Sequence, residues 1–151
     1  MAMPAHADHT VVTGYNNGDV GVISLTASAV GGARSTNPLS AALDAKCEFH
    51  QVTRPSSNET QLIVMGHAAA APDGANRVVS IQVTCVLKNH FTGAVVVNHT
   101  QANEGSVAAW VPPHVTLNTP ATSYRVCAEA KAHYFNGNFI TTDPLTCLNP
   151  F

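Results

Sequence analysis

Along most of the chain, apolar residues recur at every second position, the period of a β-strand with one buried face. The clearest run is Arg77 to Lys88, where Val79, Ile81, Val83, Cys85 and Leu87 stand on one side and Ser80, Gln82, Thr84 and Lys88 on the other. Ser123 to Tyr134 repeats the pattern. Tyr124, Val126, Ala128, Ala130, Ala132 and Tyr134 share one face, and Arg125, Cys127, Glu129, Lys131 and His133 share the other. Two extended pieces flank Asn17-Gly18, a pair that favours a type I′ hairpin turn, and the second runs to about Ala29 before Gly31-Gly32. Cys47 to Val52, Gln61 to Ala69, Gly93 to Thr100, Val107 to Val111 and Asn138 onward complete the predicted strands. Pro55-Ser56-Ser57-Asn58, Pro72-Asp73-Gly74, Asn103-Glu104-Gly105 and Asn136-Gly137 supply turns between them, and Pro112-Pro113 should end its ladder.

One segment reads differently. Asn37 can cap a helix, Pro38 suits its first position, and Leu39, Ala42 and Leu43 would share a face, so a short connecting helix is expected from Asn37 to Lys46. The sum is an all-β chain of about eight to nine strands at the spacing of a single two-sheet antiparallel β-sandwich with one short helix. Residues 1–10 read as a flexible tail and 11–151 as the domain.

Composition sharpens the picture. A chain of 151 residues is one domain long, and its net charge of −2 provides no broad field to attract nucleic acid. Charged residues make up 11%, against roughly 25% in an average domain, so Thr, Asn, Ser, Gln and His must supply the polar surface. The longest apolar runs, Leu62 to Met65 and Ala94 to Val97, are far too short for a spanning helix, so no membrane insertion is expected. Ala5-His6-Ala7 has the small-x-small form of a signal-cleavage site, which reads either as the end of a secretion signal or as an ordinary tail.

The stretch Leu117-Asn118-Thr119-Pro120-Ala121-Thr122-Ser123-Tyr124-Arg125-Val126-Cys127 resembles the approach to the sixth strand of immunoglobulin-like and fibronectin type III domains. The resemblance extends to about Tyr134. It implies a sandwich in which Tyr124 begins a strand and its hydroxyl bonds back to upstream backbone, the tyrosine corner. Two departures are visible. Cys127 lies three residues after Tyr124, which puts it on the opposite, polar face, and Trp110 lies outside the position of the family's third-strand tryptophan. The resemblance therefore points to an immunoglobulin-like domain rather than to an immunoglobulin domain, and such folds carry many functions.

Four cysteines allow three pairings. Cys85 falls on the apolar face of its strand and Cys127 on the polar face of another, which disfavours joining them. Cys127 and Cys147 flank the Asn136-Gly137 turn on adjacent strands. The expected set is thus Cys47–Cys85 in the core and Cys127–Cys147 at or near the surface, in an oxidising, extracellular compartment. A zinc site is the rival reading, because Cys47-Glu48-Phe49-His50 and Cys85 to His90 pair a thiol with an imidazole. On a strand, however, Cys47 and His50 point to opposite faces, and no metal is expected.

No nucleotide-binding, nucleophile-elbow or other catalytic or cofactor motif is present, and no cofactor is expected. His50, His67, His90, His99, His114 and His133 are scattered, as in a polar surface that could respond to pH. A carboxylate pair such as Glu48 with Glu129 would suit a glycosidase, but no pattern selects it. Asn58-Glu59-Thr60 and Asn98-His99-Thr100 fit the glycosylation sequon. Trp110, with His114 just beyond Pro112-Pro113, is the candidate binding surface: an aromatic anchor if exposed, core packing if buried, the commoner fate of tryptophan. The reading is a non-catalytic secreted or surface-exposed module with a protein or glycan partner. The alternatives are a virion or cell-surface decoration protein docking on a lattice, or a small extracellular enzyme whose site would be a deep pocket of converging His and carboxylate groups.

Overall fold

The computed structural model describes residues 9–29, 41–54, 59–72, 76–105, 107–116 and 122–150. The first eight residues, the first part of the expected helix, the turns at 55–58 and 73–74, and the approach to Tyr124 over 117–121 lie outside them.

Ten strands run in chain order: β1 (His9–Asn16), β2 (Val20–Ala29), β3 (Ala41–Arg54), β4 (Glu59–Ala70), β5 (Val78–Asn89), β6 (Val95–Glu104), β7 (Ala108–Thr116), β8 (Tyr124–Tyr134), β9 (Phe139–Thr141) and β10 (Thr146–Leu148). They form two antiparallel sheets. One has the order β1-β2-β3-β4-β7; the other has the order β10-β8-β5-β6, with β9 also on β8. The sheets pack face to face where β3 and β2 meet β8 and β4 meets β5. The described residues thus have the two-sheet architecture of a β-sandwich, with the core between the layers.

The alternation explains the core. Ile23, Leu25 and Ala27 of β2 and Leu43, Ala45, Cys47 and Phe49 of β3 point inward and are buried. Val83, Cys85 and Leu87 of β5 and the six apolar positions of β8 meet them from the other sheet. Where Phe49 meets Tyr124 the rings lie edge to face, with centroids 5.9 Å apart.

Three expectations need correction. No helix occurs among the described residues, and Ala41 to Lys46, the larger part of the expected one, begins β3. The period of two that starts at Leu43 runs unbroken to Gln51. Pairing on both sides, Ala45 with Leu25 and with Ala68, outweighs the capping signal upstream. Second, Pro112-Pro113 does not end its ladder. Gly66 pairs Val111 and Val64 pairs His114, so Met65 stands opposite both prolines. This is a bulge on an edge strand, the place where missing N–H donors are tolerated. Third, the β1–β2 loop is longer than a two-residue turn. Asn16 pairs Gly21, the Asn17 side-chain oxygen accepts the Val20 N–H at 2.8 Å, and Gly18 takes the positive φ of 95°.

Both expected disulfides are present. Cys47–Cys85 joins the two sheets through the core, and Cys127–Cys147 links directly opposed residues of β8 and β10. The second is more covered than expected, with Cys127 fully buried and Cys147 half-buried. Neighbouring Val86 is buried on the same outer face, so the bridge belongs to a small apolar patch there.

The approach to β8 is held by amides. Gln51 Nε2 donates to the Thr122 carbonyl at 2.9 Å, and its Oε1 accepts the Thr122 N–H at 3.1 Å. Buried Asn16 donates to the Tyr124 carbonyl at 2.7 Å. The Tyr124 hydroxyl is buried with no hydrogen-bond partner among the described residues. Burial pushes its pKa up from 10.0. The tyrosine that does reach backbone is Tyr134, whose hydroxyl donates to the Ala71 carbonyl at 2.6 Å.

Candidate functional site

Trp110 lies on β7, between buried Ala109 and buried Val111, so its side chain points away from the core. It is 64% exposed. Register places four more outward positions in line with it, one per strand: His67 of β4, Lys46 of β3, Ser24 of β2 and Thr13 of β1. The His67 ring stands 5.3 Å from the indole, tilted by 37°. Flanking rows add Glu48, whose carboxylate lies 3.4 Å from His50 Nε2, and Asp44, which accepts the Thr26 hydroxyl at 3.1 Å. Tyr15, also on this face, is 51% exposed.

This outer face presents one open indole beside an imidazole, with hydroxyls, charged groups and the half-buried side chains of Val22 and Met65 around them. Such a surface can stack a ring and hydrogen-bond its rim.

The sequence reading of Trp110 as either anchor or core is settled in favour of exposure, because β7 is an edge strand and the indole falls on its solvent side. His114 pairs with Val64 in the backbone ladder, three positions beyond Val111 and across the bulge; its side chain lies outside the described residues. The partner that sequence reasoning missed is His67. It is one scattered histidine among several until register sets it opposite Trp110.

The other candidates separate. Glu48 points outward from one sheet, between buried Cys47 and Phe49; Glu129 points outward from the other, between buried Ala128 and Ala130. The whole sandwich lies between them, so they cannot flank one glycosidic bond. Both sulfurs of the zinc reading sit in a disulfide, and no group of three metal-binding side chains gathers among the described residues. A depression of about 260 Å³ lies on the second sheet and holds Glu129 but no histidine among its lining residues. No helix of the described residues is long and apolar enough to cross a membrane.

Comparison with known proteins finds no matching family model, no matching curated protein and no matching solved structure.

Proposed function

We propose that the chain is an extracellular, non-catalytic binding module of immunoglobulin-like build whose contact surface is the Trp110 face and whose ligand is a glycan. The single observation that carries this reading is the exposed indole of Trp110, stacked on His67 in line with Lys46, Ser24 and Thr13. An exposed indole offers a rigid apolar face with a polar N–H at its edge, a suitable platform for a ligand. A protein partner would want a wider apolar patch around the ring. Here the outward neighbours mix polar and charged groups, Ser24, Thr13, Lys46 and Glu48, with the half-buried side chains of Val22 and Met65. They suit a sugar, which offers an apolar C–H face for stacking and a polar rim for hydrogen bonds. Two disulfides support placement outside the reducing cytosol.

The chain has one tryptophan, so its emission reports this surface alone. Titration with soluble oligosaccharides of hexoses, N-acetylhexosamines and uronic acids should change that emission saturably for at least one class. Trp110→Ala should abolish the binding seen by calorimetry while changing stability by no more than about 0.5 kcal/mol, since the side chain is exposed. Undiminished binding by the folded variant, or no binding by any class, would overturn the proposal.

A further inference from the structure

The depression on the second sheet lies on the opposite side of the sandwich from Trp110 and is built by three parts of the chain. Its floor is made by outward side chains of β5 and β8, Gln82, Thr84, Glu129 and Lys131; its wall is the end of β9 and the segment after it, Thr141, Thr142 and Pro144. The wall is held in place. Buried Thr142 accepts the Ala130 N–H through its hydroxyl at 3.0 Å, and the Leu145 N–H donates to Glu129 Oε2 at 3.0 Å. A few residues on, the Cys147 disulfide ties β10 to β8. The site is thus shaped before any ligand arrives, which removes much of the ordering cost of binding.

Its charges are what single it out. Glu129 and Lys131 are two residues apart on one face of β8, roughly 7 Å along the strand. They make no ion pair with each other or with any other described residue. The Gln82 carboxamide also has no hydrogen-bond partner among the described residues. Glu129 has one oxygen engaged by Leu145 and the other free to accept. The depression therefore presents, within about 260 Å³, one anion, one cation and one carboxamide with unused capacity. An anionic ligand would face Glu129, a cationic one would face Lys131, and a neutral polyol would leave both charges unmatched.

We infer that this depression is a binding site for a small zwitterion of the α-amino-acid class, its ammonium on Glu129 and its carboxylate on Lys131. The volume is below the range typical of drug-sized ligands and fits a molecule of that size. The site shares no residue with the Trp110 face, so either proposal can fail without the other.

The test is a titration of the full chain, followed by amide NMR, with a panel of free amino acids and with the N-acetyl and C-amide forms of the tightest. Shifts should concentrate at Lys131, Thr142 and Leu145. Blocking either terminus of the ligand should weaken binding at least about tenfold, as loss of one charge-assisted contact implies. Glu129→Gln keeps an acceptor for the Leu145 N–H and should weaken binding similarly, as should Lys131→Gln. Should Glu129→Gln not fold, Lys131→Gln decides alone. The inference is overturned if no free amino acid moves these amides, if blocked forms bind as well as free ones, or if the folded variants bind unchanged.

Discussion

Two tyrosines that look alike in the alternating pattern of β8 differ at the tip of the ring. Tyr134 and Tyr124 are both 1% exposed, yet the first donates to Ala71 while the second buries an unpaired hydroxyl. A buried hydroxyl without a partner keeps its desolvation cost and gains nothing in return. Tyr124→Phe should therefore leave stability unchanged or raise it by up to about 1 kcal/mol, whereas Tyr134→Phe should lower it by about 1 kcal/mol in denaturant unfolding. The same burial has a pH signature. Because the folded Tyr124 holds its proton more tightly than the unfolded chain does, its contribution is complete below about pH 10 and is lost as pH rises beyond that. The alkaline fall in stability should be shallower in Tyr124→Phe. Equal stability of the two variants, or an unchanged alkaline slope, would contradict this account. That a strand opens near Tyr124 was legible in the alternation that follows it. That amides of Gln51 and Asn16 hold it was not, because both come from strands far away in sequence.

At the level of strands, Gly66 of β4 lies against the Cys47–Cys85 bridge between the two sheets. A Cβ on Gly66 would run into Cys85 Sγ and come within 2.8 Å of the Lys46 carbonyl. The glycine makes room for the bridge, and its neighbour Met65 faces the bulge of β7. Gly66→Ala should destabilise by about 1–3 kcal/mol, the usual effect of overfilling a packed interior. Thermal unfolding checks it; a neutral alanine would mean that β4 can slide away from β5. In the sequence Gly66 interrupts an alternating strand without a visible reason, since the atoms it avoids belong to Cys85 and Lys46. Pro112-Pro113 misleads for a related reason. A proline pair forbids a central strand, but only the sheet order shows that β7 is an edge.

For the molecule as a whole, the two disulfides close loops of 38 and 20 residues in sequence separation, one across the layers and one within a layer. Restricting the unfolded chain in this way should contribute about 3–4 kcal/mol each by the chain-entropy estimate. For a domain whose net stability is only about 5–15 kcal/mol, that is a large share. Reduction should lower the melting temperature strongly, and Cys47→Ala with Cys85→Ala should cost more than Cys127→Ala with Cys147→Ala, because the first pair also leaves a void in the core. The reverse order, or indifference to reductant, would show that the layers hold together without the bridges.

Although a register shift at the start of β5 buries Val78 where Val79 was expected, alternation along single segments was enough to define an all-β chain, most strand positions, the inward face of β8 and that of β5 from Ile81 onward, and both cysteine pairings. These are local properties: a period of two decides which residues share a face wherever the strand ends up. It could not decide which strands are neighbours, and the remaining features depend on that. Pairing with β2 and β4 made a strand of Ala41 to Lys46, where a cap and alanines suggested a helix. The placement of β7 at an edge left Trp110 in water and set His67 against it, while the separation of the layers put Glu48 and Glu129 on opposite outer faces. Contacts between residues far apart in the chain are set by register and layer packing, and no single segment encodes them alone.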